Sequence, residues 1–258
     1  MAEFTLYNAP QSTCSQRVRF VLNAKNLSFT EHKLDLFSGD QLKPEYLAIN
    51  PNAVVPALIH DGHTILDSSV IIEYLDEVAN DVICFTPPEP EKKALMRWMM
   101  RYVDEIPAPA IRVPSYNLAF LPHFQQMTEE AFLALANSKP LRKEFLLTMG
   151  RTGFPKAEMD QALDKLNRTV IRMNEWITQN KGPWIMGDKL SLVDIAVMPV
   201  IVRMEDINLS ASWADKPLIS AWLENIQAHP VFQKTYYSGS LLTEKYPHLA
   251  YLRTKVKN

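Results

Sequence analysis

The stretch Asn50–Val78, NPNAVVPALIHDGHTILDSSVIIEYLDEV, decides the fold. ALIH and TILD within it are short apolar runs joined through Asp61-Gly62, a pair that tolerates the positive φ angles of a tight hairpin turn. Beyond Asp67 the period changes. Val70, Ile71, Tyr74 and Leu75 fall at helical spacing, which predicts a helix from Ser68 or Ser69 to Val78. Strand, hairpin and helix therefore follow one another with no room for a second crossover.

Toward the N-terminus, Phe4 to Tyr7 alternates and predicts a strand, and Phe29 to Leu34 predicts another. Between them, SQRVRFVLNAKN places Val18, Val21 and Leu22 on one helical face, with Arg17, Arg19 and Lys25 largely elsewhere. Pro44 to Ile49 predicts a short helix, since proline suits a first turn. The order is βαβαββα. Toward the C-terminus the texture changes: Ala79 to Lys93 carries Pro87, Pro88 and Pro90 and reads as a linker. After it only helical periods recur, over Lys92–Glu105, Glu129–Met149, Lys156–Asn180, Ser191–Asn208 and Pro217–Ala228, with a break at Pro107, Pro109 and Pro114. Ser191 and Asp194 form an acidic capping box, and Pro217 and Pro230 bracket the helix between them. The fold class is α/β followed by all-α.

Composition excludes several function classes. With 27 Lys and Arg against 29 Asp and Glu, spread along the chain, there is no basic field for nucleic acid. No apolar run approaches the ~20 residues of a bilayer crossing, and the N-terminus lacks the order of a signal peptide, so no membrane partner and a cytoplasmic location are expected. The two cysteines, Cys14 and Cys84, form no CxxC and no Cys/His cluster, so no metal is expected. His60 and His63 read as solvated turn residues.

Three places carry candidate chemistry. Val55-Pro56 opens a strand, where a cis bond would leave the Val55 backbone free to pair with an extended ligand; a plain turn proline is the alternative. Asp67 and Ser68 stand at a helix start, as ordinary caps or as a site for an amino-acid head group, the carboxylate on the helix N–H groups and the ammonium on Asp67. Ser12, Thr13, Cys14 and Ser15 stand where a strand gives way to a helix, a position that stabilises a thiolate or simply needs a cap.

Together the three segments STCSQRVRFVL, INPNAVVPALIHDGHTILDSSVIIEYLDE and GDKLSLVDIAVMPVI resemble those of a cytosolic glutathione transferase, in order and spacing, across nearly the whole chain. The resemblance implies a thioredoxin-like glutathione-binding domain over residues 1–80, a linker over 81–92 and an all-helical domain over 93–258 that shapes the electrophile site. It implies Pro56 as the cis-proline, Val55 pairing with the cysteinyl part of glutathione, and Asp67 and Ser68 holding the γ-glutamyl group. Gln41 or Lys43 would meet the glycine carboxylate. Ser191 and Asp194 match a folding element of the helical domain. STCSQRVRF is similar to the zeta-class pattern, which aligns Ser12 with the thiolate-stabilising hydroxyl; counting back from Arg17 and Arg19, the omega-class cysteine also falls at Ser12. Cys14 matches the reactive cysteine of the tetrachlorohydroquinone reductive dehalogenases. Ser12 is therefore the expected activator, with Cys14 second and Thr13 beside them.

On the electrophile side, Arg112 and Tyr116 lie beyond the proline break as donors to an anionic or phenolic substrate, with Met100 on the preceding helix. LMRWMMRYVDE and RTGFPKAEMD resemble stretches of a bacterial glutathione-dependent β-etherase. The region near Leu118 to Met149 is longer than the zeta pattern. The expected activity is transfer of glutathione, as co-substrate, to a small hydrophobic electrophile by a homodimeric detoxification enzyme, with linker-adjacent helices at the interface. The alternatives are a reductive dehalogenase or β-etherase-like lyase using Cys14, and a non-catalytic binding protein of the same fold.

Overall fold

A computed structural model describes residues 4–253. Strand β1 (Phe4–Asn8) alternates buried and half-buried residues, and helix α1 (Thr13–Ala24) crosses back to β2 (Phe29–Lys33), parallel to β1. A short helix α2 (Pro44–Leu47) precedes the hairpin β3 (Ala57–His60) and β4 (His63–Leu66). The hairpin turns on Asp61 (φ 47°) and Gly62 (φ 81°), as the two-residue pair requires. β3 runs antiparallel to β1, giving a four-stranded sheet in the order β2-β1-β3-β4. Helix α3 (Ser68–Val78) and α1 cover the sheet, burying Leu6, Val21, Leu58, Ile71 and Leu75 completely. This is the thioredoxin-like part.

The helical part begins with α4 (Pro90–Glu105) and continues through α5 (Pro107–Ala110), α6 (Arg112–Ala119), α7 (Leu121–Gln126), α8 (Glu129–Asn137) and α9 (Lys143–Met149). Helices α10 (Lys156–Asn180), α11 (Leu192–Asp206) and α12 (Pro217–Ala228) form its core. The α11 helix is buried nearly all round, and its capping box is present: Asp194 accepts from Ser191 N (3.0 Å) and from the Ser191 hydroxyl (2.7 Å).

Three expectations need correcting. Pro90, in the expected linker, opens α4; the expected break at Pro107, Pro109 and Pro114 is present, since α4 ends at Glu105 and these prolines sit in the first turns of α5 and α6, where the missing N–H has no intrahelical partner anyway. The single helix expected over Glu129–Met149 is two, separated by a connection containing Pro140. Arg17, Arg19 and Lys25, expected largely away from the apolar face, are all buried, at 2%, 1% and 1% exposure.

Candidate active site

Ser12 is the N-cap of α1. Its backbone is extended and its hydroxyl oxygen accepts from Ser15 N at 3.2 Å. A hydroxyl has one proton to give, and no described group accepts the proton of Ser12. The cap therefore presents a donor beside the positive end of a helix of 12 residues. Cys14, two residues further on in the first turn, is a free, half-buried thiol, and Ser15 is fully buried, its oxygen accepting from Ala9 N at 3.4 Å.

Of two buried arginines on α1, Arg19 holds this loop and Arg17 ties the helix to its neighbours. Arg19 gives Nη1 to the Asn8 side chain (2.6 Å) and to Ala9 O (3.2 Å), Nη2 to Pro10 O (2.7 Å) and Nε to Thr235 O (3.1 Å). Burial pulls its pKa down while Tyr237, Glu31 and Tyr236 counter this. Arg17 gives Nε to Ala196 O on α11 (2.8 Å) and Nη1 to Ser68 and Ser69 hydroxyls (3.2 and 3.1 Å) and to Asp104 (2.6 Å). From α11, Arg203 donates to Gln11 O at 2.6 Å. Arg19 of the R-x-R pair, together with Arg203, is thus the support of the loop.

The second element is the turn before β3. The Val55–Pro56 bond is cis. Val54 O is taken by Tyr46 OH (2.6 Å) and Asn50 Nδ2 (2.8 Å), whereas no described group bonds the Val55 backbone. The third is the start of α3. Asp67 has φ 71°, a region few non-glycine residues enter, and its carboxylate caps Ser69 N (2.9 Å) and Val70 N (3.3 Å). Asp67 is exposed. Ser68 is buried beside Arg17.

A cavity joins the start of α1 and the turn before β3 to the helical part. Ser12, Thr13, Cys14, Gln41, Val55, Arg112 and Tyr116 line it together. Gln41 is buried, with Nε2 on Leu36 O (3.2 Å) and Oε1 without a partner. Lys43 lies apart from the cavity, exposed and paired with Asp40 at 2.7 Å. Met100 lies in the core with Met96 and Met99 and does not reach the cavity, because the apolar face of α4 packs on α11. Pro56, Asp67 and Ser68 do not line the cavity.

Among the lining residues from the helical part that sequence reasoning missed are Phe120, His123, Lys139 and Arg142. They come from α6–α7 and the α8–α9 connection, whose tertiary placement no local period reveals. Burial lowers the pKa of Arg142, and the neighbouring charge of Arg112 lowers it further; Lys139 is lowered by burial and then by Arg142. Among the described residues no group of three His, Cys, Asp or Glu is placed to hold a metal ion, and no helix is long and apolar enough to cross a membrane.

Comparison with known proteins gives two family matches: residues 6–82 match the glutathione S-transferase N-terminal domain, and residues 124–230 match the glutathione S-transferase C-terminal domain. The chain is 27% identical over 238 residues to Protein LigF of Sphingobium sp. strain NBRC 103272 / SYK-6, covering 90% of this chain and 92% of that one. It is 30% identical over 228 residues to a probable maleylacetoacetate isomerase of Caenorhabditis elegans, covering 88% and 90%. It is 26% identical over 248 residues to glutathione S-transferase TCHQD of Arabidopsis thaliana, covering 91% of each. Among solved structures, the β-etherase LigF of Sphingobium sp. strain SYK-6 superposes with a TM-score of 0.82 at 26% identity, over 90% of this chain and 98% of that one.

Proposed function

The chain belongs to the glutathione S-transferase family, and from that premise we propose that Ser12 stabilises the glutathione thiolate for attack on an electrophile held by the helical part. The observation that carries this is the Ser12 hydroxyl, its proton unused at the start of α1, lining the same cavity as the free Val55 backbone. The Val55 N–H and C=O pair with the cysteinyl residue. The γ-glutamyl ammonium meets Asp67 and its carboxylate the start of α3 beside Ser68. Gln41, with an unpartnered acceptor in the cavity, suits a peptide N–H of glutathione, whereas Lys43 is committed to Asp40. Catalysis then consists of thiolate stabilisation plus proximity. The enzyme works as a homodimer in a reduced, cytoplasmic setting, a reading supported by two free cysteines and by exposed Val70, Val78, Leu95 and Trp98 near the linker.

A second reading is favoured by the placement of Cys14 in the cavity, close enough to Arg142 for a Cys14 thiolate to favour the guanidinium charge. The relatives named TCHQD and LigF, the latter a β-etherase, fit such chemistry. Here Cys14 attacks the sulfur of an aryl–glutathione conjugate; the carbon–sulfur bond breaks, the ring carbon takes the electron pair and a proton, and a second glutathione releases oxidised glutathione from the mixed disulfide. The test is turnover with glutathione against a chloronitrobenzene, a halogenated hydroquinone and an aryl ether. Conjugation that survives Cys14→Ala supports the first reading. Loss of oxidised-glutathione release in that variant supports the second. Absence of glutathione binding at millimolar concentration in calorimetry refutes both.

A further inference from the structure

The cavity wall contributed by α6, α7 and the α8–α9 connection is cationic and has no counter-charge. Arg112 opens α6, Lys139 lies between α8 and α9, and Arg142 immediately precedes α9. All three line the cavity. None forms an ion pair with a described carboxylate, and no Asp or Glu is among the lining residues. Of the three, only Arg142 has a side-chain hydrogen bond within the described chain, from Nη1 to Leu141 O at 2.9 Å. Like charges gathered in one partly desolvated wall repel one another, so the arrangement costs free energy unless an anion arrives. Beside them is an aromatic surface: Phe120 meets Tyr116 edge-on at 4.5 Å and Tyr246 at 5.5 Å, and Phe37 packs on His123 at 4.1 Å.

We propose that this wall selects aromatic electrophiles bearing a carboxylate, which Arg142, Lys139 and Arg112 hold while the ring packs on Tyr116 and Phe120. The proposal rests on the glutathione reading above and names its substrate class. A planar guanidinium binds a carboxylate bidentately, and a charge-assisted pair shielded from water is stronger than a neutral hydrogen bond. Lys139 and Arg142 also account for the α8–α9 connection, which brings to the cavity two charges that α6 alone would lack. The pKa values of Lys139 and Arg142, held low by burial and then by the charges of Arg142 and Arg112 respectively, would rise on binding an anion.

The test pairs 4-chloro-3-nitrobenzoate with the uncharged 4-chloro-3-nitrobenzamide. In the conjugation, glutathione thiolate forms the carbon–sulfur bond and chloride leaves with the carbon–chlorine pair. Values of kcat/KM, each divided by the uncatalysed rate constant with glutathione, should favour the benzoate by about tenfold or more, and the advantage should shrink with added salt. In the double variant Lys139→Gln/Arg142→Gln the ratio should fall to near unity. Calorimetric titration of both compounds without glutathione reads the anion site independently. Selective benzoate binding with no glutathione turnover would retain this proposal and reject the glutathione reading. Equal binding of the two compounds by the native enzyme would overturn it. So would a double variant that keeps the benzoate preference, or one whose main defect is a tenfold weaker affinity for glutathione itself, which would assign the cations to the tripeptide.

Discussion

Replacing Ser12 by alanine separates two things its hydroxyl does. The first is structural: the bond from Ser15 N at 3.2 Å is lost. A missing N-cap costs about 1 kcal/mol, and for a chain of this size that lowers Tm by about 2–4 °C. The second is chemical. If the unused Ser12 proton is given to the glutathione thiolate, removing it deletes one hydrogen bond to a charged acceptor, about 1.5–3 kcal/mol. At about 1.36 kcal/mol per pKa unit, the thiol of bound glutathione should then ionise about one to two units higher. The assay is the pH dependence of kcat/KM with a chloronitrobenzene. The ascending limb should move up by that interval, and kcat/KM below the native limb should fall about ten- to a hundredfold. Ser12→Thr, which keeps the hydroxyl, should recover most of both. Cys14→Ala should leave the limb where it is. A Ser12→Ala enzyme with an unmoved limb, or a Cys14→Ala enzyme with a displaced one, would refute the assignment of the hydroxyl as the activator.

Two further substitutions address the scaffold. Asp194 is fully buried and accepts from Ile185 N (2.9 Å), Ser191 N (3.0 Å), Ser191 Oγ (2.7 Å) and Trp222 Nε1 (2.8 Å). Asp194→Ala strands several buried donors and should cost about 3 kcal/mol or more in urea unfolding followed by tryptophan fluorescence; a loss under about 1 kcal/mol would show that the box is not needed. Arg19→Met removes the donors under the loop at Asn8 to Pro10. It should lower conjugation at least tenfold in protein that remains folded by circular dichroism, and a folded variant with native kcat would show that the loop holds its place without Arg19.

The legible parts of the sequence were those set by local chemistry. The hairpin at Asp61-Gly62, the capping box at Ser191 and Asp194 and the helix Lys156–Asn180 follow from turn residues, caps and period, and appear at those positions. Where tertiary placement decided, reading along the chain fell short. Arg17 and Arg19 look like the polar face of an amphipathic helix, yet α1 is covered on that face by α3, α11 and the residues near Thr235, so the charges turn inward onto backbone carbonyls. Pro107, Pro109 and Pro114 read as a break because proline forbids an interior N–H bond, and α4 does end at Glu105; only the observed helix starts show that each proline sits in a first turn of α5 or α6. Lys139 and Arg142 carry no pattern at all; their meaning comes from a cavity whose opposite wall is formed by residues far upstream in the chain.

The loop before α1 is held as much by the helical part as by the sheet. Of the supports beneath residues 8–16, Arg203 reaches Gln11 O from α11, Arg19 ties α1 to Thr235 O, and Gln16 Nε2 reaches Ser240 O at 3.1 Å. Arg17 joins α1 to α11, the start of α3 and Asp104 of α4 at once. Each of these groups is buried, and a buried guanidinium left without acceptors is costly, so the loop and the helical part are mutually dependent. The position of Ser12 is therefore fixed from both sides of the junction between the thioredoxin-like part and the helical part. Arg19 and Arg203 mark where the loop is fastened, and Ser12 is the hydroxyl that the fastening leaves with its proton free.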